Sequence, residues 1–425
     1  MKLIKYPVKE NWKGILQRPS IDSTSLQDKV KLVLNDVKQN GDAAVKKYTQ
    51  QFDGVDLNDF VVTENEIIEA AASLSDELKT AIQTAADNIK TFHQKQLSAP
   101  EIIETMPGIQ CWRKSIGIER VGLYIPGGTA PLFSTILMLG IPAQIAGCRE
   151  IILCSPPDKE GNLNPAILFA AQLVGVTKLY KIGGVQAIAA MAYGTETVPQ
   201  VYKIFGPGNQ YVTYAKQLIQ QDGIAIDMPA GPSEVCVLAD ETANASFVAA
   251  DLLSQAEHGA DSQVVLVTTS ELFVTNVQEE ISKQLGLLPR KDIAAKALEN
   301  SKIILIKDIE EGIELVNEYA AEHLIISCAN DEAIAEKIIN AGSVFLGSYS
   351  PESVGDYASG TNHTLPTNGF AKAYSGVSVD SFVKKITYQK LTQQGLQHIG
   401  STVELMATAE GLQAHANAVT IRLQQ

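Results

Sequence analysis

Two copies of the tripeptide AEH carry side chains suited to proton transfer and metal binding. The first lies in LLSQAEHG, where Gln255 and His258 are three residues apart and share one face of a helix. The second sets Glu322 beside His323, between the helical stretch GIELVNEYAAE and the apolar run HLIISC. The flanks of the two copies differ, so the sequence contains no internal repeat.

The second copy predicts a site for proton transfer. Neighbours on a regular helix point about 100° apart, but both Glu322 and His323 can enter one pocket where the backbone changes direction. Histidine titrates near neutral pH and can take a proton, while an adjacent carboxylate can orient it or activate water. A solvated helix end is the alternative for this pair.

The first copy predicts a metal ligand, His258, because imidazole is a common ligand and glutamine a rare one. A hydrogen-bonded structural histidine is the alternative. Further candidates lie in a glycine-rich segment without periodicity and near the C-terminus: Asp356, His363, Glu410 and His415. One glutamine, two histidines and one aspartate would suit zinc, and also cobalt or manganese. Spacing alone cannot assemble ligands so far apart in sequence.

Three glycine-rich turns, each between a strand pattern and a helix pattern, predict one face of a cofactor cleft. They are GLYIPGGTAPL, with Gly127, Gly128 and Pro131, then GGVQAIAA, and finally FGPGNQY. Glycine lets the backbone approach a ligand, and a helix N-terminus favours an anion such as pyrophosphate. None is a full GxGxxG fingerprint, since Tyr211 stands where the third glycine would be. Ordinary turns are the alternative.

The elements around these residues alternate between strand and helix patterns. Apolar strand-like runs separated by single helices occupy residues 117–234, and a second such series runs over 233–328. This alternation indicates two α/β domains with parallel sheets covered on both faces. Residues 24–52 and 63–97 predict amphipathic helices, and the tail from 378 onward predicts helices again.

Composition narrows the class of partner. The formal net charge of −14 argues against a nucleic-acid groove or an anionic membrane surface, and therefore favours small-molecule chemistry. We expect a cytoplasmic protein, because the N-terminal residues MKLIKYPVKENW contain no signal-peptide pattern and the most apolar run is interrupted by Pro142 and Gln144.

The five cysteines show no CxxC spacing and mostly lie in apolar runs, which predicts buried thiols and neither disulfides nor metal ligands. Cys111 and Cys148 flank a glycine-rich segment, and a nucleophilic role is the alternative for them. No histidine or cationic side chain nearby in sequence would lower either thiol pKa.

Taken together, these stretches resemble the histidinol dehydrogenase family. The matching segments run in the family's order over nearly the whole chain, with no departure at a functional position: GLYIPGGTAPLFSTILMLGIPAQIAGC, KIGGVQAIAAMAYGT, IFGPGNQYVTYAK, IDMPAGPSEV, DLLSQAEHGADSQ, NEYAAEHL, SVGDYASGTNHTLPT and EGLQAHANAV.

The resemblance implies two Rossmann-like α/β domains, one of them an incomplete Rossmann-like NAD domain, with helical terminal extensions. Residues 1–22 are the expected N-terminal extension, and 23–116 together with 235–377 form the main domain that carries the metal and catalytic residues. Residues 117–234 form the expected NAD-binding domain. A C-terminal helical extension, 378–425, contributes to the partner subunit's site.

The resemblance also implies an activity: oxidation of L-histidinol to L-histidine through L-histidinal, with two NAD reduced, at the end of histidine biosynthesis. Glu322 and His323 are the implied catalytic pair. One zinc per subunit is assigned to Gln255, His258, Asp356 and, across a homodimer, His415 of the partner subunit. Substrate binding is assigned to Ser233, Gln255, His258, His323, Asp356, His363, Glu410 and His415. NAD binding is assigned to Tyr124, Gln186 and Asn209.

Three other functions remain open. A dehydrogenase of the same fold acting on another small alcohol would use the same residues. A zinc hydrolase would use Glu322 and the metal to activate water, but would leave the glycine-rich turns without a role. A non-catalytic metal-binding scaffold would not need the Glu322–His323 pair.

Overall fold

A computed structural model describes residues 1–19, 24–127, 131–229 and 231–424. The strands are β1 (Lys2–Lys5), β2 (Ile102–Met106), β3 (Ile109–Gly117), β4 (Arg120–Tyr124), β5 (Glu150–Ser155), β6 (Lys178–Lys181), β7 (Lys203–Phe205), β8 (Ala225–Ile226), β9 (Glu234–Ala239), β10 (Gln263–Thr268), β11 (Lys302–Leu305), β12 (His323–Ser327), β13 (Ser343–Leu346) and β14 (Val383–Leu391).

The α-helices are α1 (Trp12–Ile15), α2 (Thr24–Phe52), α3 (Glu64–Ser73), α4 (Asp76–Gln94), α5 (Phe133–Ala146), α6 (Pro165–Leu173), α7 (Gly184–Tyr193), α8 (Gln210–Gln221), α9 (Ala245–Ala256), α10 (Glu271–Leu285), α11 (Lys291–Glu299), α12 (Ile309–Tyr319), α13 (Asp331–Ala335), α14 (Glu352–Tyr357), α15 (Gln393–Ala409) and α16 (Gln413–Leu423). None of these helices combines the length and apolar character needed to cross a lipid bilayer.

The larger sheet contains parallel strands in the order β1-β11-β10-β9-β12-β13. Strands β9 and β10 read EVCVLA and QVVLVT and are buried at every position, as expected when helices cover both faces of a parallel sheet. One face packs against α9, α10 and α11, and the other against α12 and α13. This sheet confirms the second predicted α/β series.

The smaller parallel sheet has the order β6-β5-β4-β7-β8. The earliest strand, β4, lies in its centre, so the direction of chain progression reverses between β4 and β7. Ligands bind at such switch points in open α/β sheets, beyond the carboxyl ends of the strands. Helix α5, buried from Ser134 to Ala143, fills one face of the sheet, which accounts for its uniformly apolar sequence.

Capping residues set the helix boundaries upstream of this sheet. Thr63 and Glu66 form a reciprocal capping box that starts α3, and the Ser75 side chain accepts a hydrogen bond from Leu78 N to start α4. The single helix predicted over 63–97 is therefore two helices. Helix α2 has the predicted bounds, with Gly41 (φ 52°, ψ −131°) interrupting its regular geometry.

The helices from the N-terminal part of the chain, α2 and α4, pack on the smaller sheet. Core residues of α2 pack with α7 and α8, and those of α4 pack with α5, on the two faces of the smaller sheet. The amphipathic patterns predicted that these helices bury one face, but not which sheet they cover. The predicted division into domains stays a prediction.

Both termini add strands that the sequence pattern did not indicate. Strand β1, within the predicted N-terminal extension, pairs with β11 as an edge of the larger sheet. The helical prediction from 378 onward is wrong for β14, which pairs antiparallel with β3; β3 also pairs with β2. Strand β14 reads VKKITYQKL and has no fully buried position, so no apolar alternation marked it.

Candidate active site

The Glu322–His323 pair lies where α12 gives way to β12. Helix α12 ends at Tyr319, Ala320 adopts a left-handed conformation (φ 53°), and β12 begins at His323. Glu322 is 7% exposed and His323 3% exposed, so a solvated helix end is the wrong interpretation of this pair. The change of backbone direction brings both side chains into one pocket, as predicted.

The main chain of Glu234 holds both members of the pair. Its N–H donates to Glu322 Oε2 at 2.9 Å, and His323 Nδ1 lies 3.2 Å from its carbonyl oxygen. A carbonyl oxygen can only accept, so Nδ1 carries a proton and Nε2 is the nitrogen left to exchange one. Nε2 lies 3.2 Å from Asp356 Oδ1. The carboxylate of Asp356 therefore stabilises the protonated ring.

Burial and charge act on the pKa of each group in this pocket. Burial raises the pKa of Glu322 and of Glu352, because both carboxylates are removed from water. For His323, burial lowers the pKa, but the charge of Glu322 and the hydrogen bond with Asp356 raise it by more. The imidazole therefore has a high affinity for a proton.

An ion pair lies behind the Glu234 peptide. Arg18 donates to both carboxylate oxygens of Glu234 at 2.9 Å, and also to the carbonyl oxygen of Tyr319 at 2.7 Å. The guanidinium stacks on the Tyr319 ring at 4.0 Å, and Asn368 N donates to Glu234 Oε1 at 2.8 Å. These contacts fix the start of β9 and the end of α12 against each other.

Two of the predicted metal ligands come from the end of α9. Gln255 is fully buried, and in the orientation that satisfies both its amide atoms the oxygen accepts from Glu234 N at 2.9 Å and the nitrogen donates to Glu352 Oε1 at 3.1 Å. His258 is exposed at the wall of a cavity, yet the surrounding protein still lowers its pKa, while the nearby charge of Asp356 opposes that shift.

His363 lies behind Asp356. Its Nδ1 is 2.8 Å from the backbone oxygen of Asp356 and its Nε2 is 3.0 Å from Thr135 Oγ1 on α5. Together with Ser233, His258 and Glu322, it lines a cavity of about 650 Å³ between the two sheets. The structure thus brings together predicted residues from four separate stretches of sequence.

Glu410 and His415 lie elsewhere in the chain. Both are exposed on the C-terminal helices, and among the hydrogen bonds and ion pairs of the described residues none joins either side chain to the Glu322–His323 pocket. Within the described part of the chain, no group of three or more His, Cys, Asp or Glu side chains is arranged to hold a metal. The assignment of His415 to a partner's site stays a prediction.

A second cavity, of about 1530 Å³, adjoins the switch point of the smaller sheet and is lined by residues from all three glycine-rich turns, Gly127, Gly184 and Asn209. Gly128 lies outside the described residues. Glycine is required at Gly206 (φ 126°), where a Cβ would overlap the carbonyl oxygen of Tyr124. The turns therefore meet at one cavity, and Asn209 lines both this cavity and the first.

The three predicted NAD-binding residues take different positions around this second cavity. Tyr124 is at its wall, and its hydroxyl oxygen accepts from Gly184 N at 3.0 Å. Asn209 caps α8 by accepting from Tyr211 N and Val212 N. Gln186 is fully buried behind the wall, where its amide nitrogen donates to Asp53 Oδ2 at 3.3 Å.

Comparison with known proteins identifies the family. The family model described as histidinol dehydrogenase matches residues 16–423. The chain is 64% identical over 423 residues to histidinol dehydrogenase of Bacteroides thetaiotaomicron, covering 100% of this chain and 99% of that protein. The crystal structure of histidinol dehydrogenase from Elizabethkingia anophelis superimposes with a TM-score of 0.98 at 57% identity, over 100% of this chain and 98% of that one. The chain belongs to the histidinol dehydrogenase family.

As a member of the histidinol dehydrogenase family, the chain is an oxidoreductase of histidine biosynthesis. Histidinol dehydrogenase of Bacteroides fragilis is 61% identical over 425 residues, covering 100% of this chain and 99% of that protein. An acetylating aldehyde dehydrogenase from Geobacillus thermoglucosidasius shares the fold alone, with a TM-score of 0.50 at 15% identity over 89% of this chain and 94% of that one.

Sequence reasoning missed three residues of this site: Arg18, Glu234 and Glu352. Arg18 and Glu234 are 216 residues apart, so no local pattern links them. Glu352 was inside a segment without periodicity, and only the structure reveals that it is 1% exposed on α14 and bonded to Ser254.

The cysteines have no part in the site. All five are free, with Cys154, Cys236 and Cys328 buried and Cys111 and Cys148 half-buried, so the prediction of buried thiols is confirmed for three of them. Burial raises the pKa of Cys148 to about 12, which argues against a nucleophilic thiolate there.

The Arg18–Glu234 pair generates a prediction about stability. Arg18→Met removes the only ion-pair partner found for Glu234 among the described residues, and an unpaired buried carboxylate costs about 3–5 kcal/mol. We expect a lower urea midpoint at pH 7. As a control, Lys5→Met breaks an exposed pair with Glu271 and should cost less than about 1 kcal/mol. Equal losses from the two variants would contradict this role for Arg18.

Proposed function

We propose that this chain catalyses the zinc-dependent oxidation of L-histidinol to L-histidine through L-histidinal, with two NAD reduced per substrate. The observation that carries the proposal is the buried Glu322–His323 pair, which the main chain of Glu234 holds beside Asp356. Glu322 lines the first cavity, and Asn209 lines both this cavity and the cavity of the switch point. A base, a second carboxylate, and room for substrate and cofactor are thus adjacent.

In the first oxidation, His323 acts as the base. Its Nε2 takes the hydroxyl proton of the alcohol as hydride leaves the carbon, and the Glu234 carbonyl and Asp356 stabilise the imidazolium that results. The NAD supplies the hydride acceptor when bound. Enclosure of the pair keeps bulk water from competing for the proton.

In the second oxidation, Glu322 activates water. The Glu234 N–H holds Oε2, so the other carboxylate oxygen is free to take a proton from the water that adds to the aldehyde. Burial raises the pKa of Glu322 and so makes this carboxylate a stronger base than one in water. The imidazolium of His323 returns its proton to the aldehyde oxygen, which completes the hydrate. The neutral ring then takes a hydroxyl proton of the hydrate as the second hydride leaves to NAD.

The residues present fit a zinc site that two subunits complete. Gln255, His258 and Asp356 offer two oxygens and one nitrogen beside the catalytic pair, and an exposed His415 of the partner subunit would supply a second nitrogen. Zinc would anchor the nitrogens of the substrate and so orient the reacting carbon. We propose Ser233, His363 and Glu410 as further substrate contacts, and Tyr124, Gln186 and Asn209 as NAD contacts.

The stoichiometry of the reaction tests the proposal directly. Zinc-loaded protein given limiting L-histidinol and excess NAD should form two NADH per histidinol, read from absorbance at completion. A chelator should abolish the reaction and zinc should restore it. One NADH per histidinol would indicate an alcohol dehydrogenase that stops at the aldehyde. Turnover of an amide without NAD would favour a zinc hydrolase.

The division of labour between Glu322 and His323 predicts different effects of substitution. His323→Asn should slow both oxidations by about 10²–10⁴-fold, because it removes the base from each. Glu322→Gln should slow oxidation of L-histidinal more than that of L-histidinol. Glu257→Gln, in the other AEH copy, is the matched control and should change neither rate much. Selective loss of the alcohol step in Glu322→Gln would show that the roles are reversed.

Sharing of the site between subunits predicts complementation. His415→Ala and His323→Asn should each be nearly inactive alone. Co-expressed, they should recover about a quarter of wild-type activity, because about half of the dimers are mixed and each mixed dimer has one intact site of two. A mixture no more active than the separate variants would assign His415 to its own chain's site.

A further inference from the structure

The residue that follows α2, Asp53, contributes a carboxylate to the cavity of the switch point, and no ion pair joins it to a cation among the described residues. Asp53 follows directly after Phe52, and its backbone N donates to Thr49 O at 2.9 Å. Burial raises the pKa of Asp53 to about 6, and no cation offsets that shift. Its one side-chain partner among the described residues is the Gln186 amide, at 3.3 Å from Oδ2.

The Gln186 side chain also has a polar atom that lacks a hydrogen-bond partner among the described residues. It is fully buried, and its Oε1 has no hydrogen-bond partner among the described residues. Unpaired buried polar atoms are rare and call for a missing partner. Gln186 lies behind the cavity wall, whereas Asp53 lines the cavity, so Asp53 is the acceptor that a hydroxyl or amine donor of a ligand can reach.

The position of Asp53 indicates which part of a dinucleotide would meet it. Asn209 lines both cavities, so the nicotinamide, which must reach the substrate, lies toward Asn209. Residues at the end of α2 and just after it line the second cavity only, which leaves the adenosine end for them: Lys47, Tyr48, Gln51, Phe52 and Asp53.

Asp158 is the other acidic side chain at this cavity. It follows β5, the second strand of the smaller sheet in chain order, and an acidic residue after the second strand binds the ribose in Rossmann folds. It is exposed, and its Oδ1 already accepts from Glu160 N at 3.0 Å and Asn162 N at 2.7 Å, which closes the loop after β5. Among the described residues, no backbone N–H donates to the carboxylate of Asp53. The geometry thus favours Asp53 over Asp158 as the acceptor for a ligand.

We propose that Asp53 accepts a hydrogen bond from the adenosine ribose hydroxyls of NAD and, by its charge, excludes the 2′-phosphate of NADP. The inference rests on the proposed function, because it assumes that a nicotinamide dinucleotide occupies this cavity. Gln186 positions the carboxylate. A 2′-phosphate would bring about two negative charges against a half-buried carboxylate that has no ion-pair partner among the described residues.

Equilibrium binding of NADH and NADPH, without substrate, tests the proposal. Nucleotide fluorescence should show wild-type protein binding NADH at least about tenfold more tightly than NADPH, the effect of one hydrogen bond to a charged group. Asp53→Asn should weaken NADH binding and strengthen NADPH binding, so that the ratio shrinks toward one. Asp56→Asn, three residues on, exposed and paired with Lys46, should leave the ratio unchanged.

Thermal unfolding checks that Asp53→Asn stays folded. The pKa of Asp53 is raised from 3.8 to about 6 by burial, so ionisation of the carboxyl costs stability as pH rises from about 4 to 6. The asparagine variant avoids that cost, and its Tm at pH 8 should equal or exceed that of wild type. Weaker NADH binding by a protein this stable cannot come from misfolding.

The outcomes separate this inference from the function it rests on. An unchanged NADH to NADPH ratio in Asp53→Asn overturns the role of Asp53 alone, and so does a ratio that collapses in Asp158→Asn instead. Wild-type protein that binds neither nucleotide overturns both the proposed NAD dependence and this inference.

Discussion

The arrangement of the site depends on the main-chain N–H and carbonyl groups of Glu234. A buried carboxylate and a buried imidazole are costly unless their hydrogen bonds are met, and these two groups of one residue at the start of β9 meet both. That is possible only because β9 and β12 are adjacent, with His323 paired in register to Val235. The Arg18 guanidinium neutralises the charge of the Glu234 carboxylate. This ion pair holds the N-terminal segment against the start of β9.

The site therefore lies at the amino-terminal ends of the strands of the larger sheet, which is an unusual position. Glu234 and His323 begin their strands, whereas ligands in open α/β folds usually bind beyond the carboxyl ends. The smaller sheet follows the usual rule, since Tyr124 is the last residue of β4 and the turn before Asn209 follows β7. The amino edge of one sheet therefore faces the carboxyl edge of the other, and the two cavities meet where Asn209 lines both.

Sequence patterns predicted what is local in this structure. Apolar runs such as EVCVLA marked both parallel sheets, and the helix-to-strand junction at Glu322 and His323 followed from a change of period. Contacts between distant segments have no such pattern, which is why the Arg18–Glu234 pair was missed. The same limit applies to β14, whose exposed side chains carry no apolar alternation and whose pairing with β3 spans more than half the chain.

The charge left in the pocket gives the strongest physical reason to expect a cation there. Arg18 balances Glu234, but Glu322, Glu352 and Asp356 surround a single imidazole, and burial together with mutual repulsion raises the pKa of both glutamates. Protonating these carboxylates would relieve the repulsion but would also remove the base that activates water. A divalent cation, or the ammonium group of a substrate, relieves it while the carboxylates stay ionised.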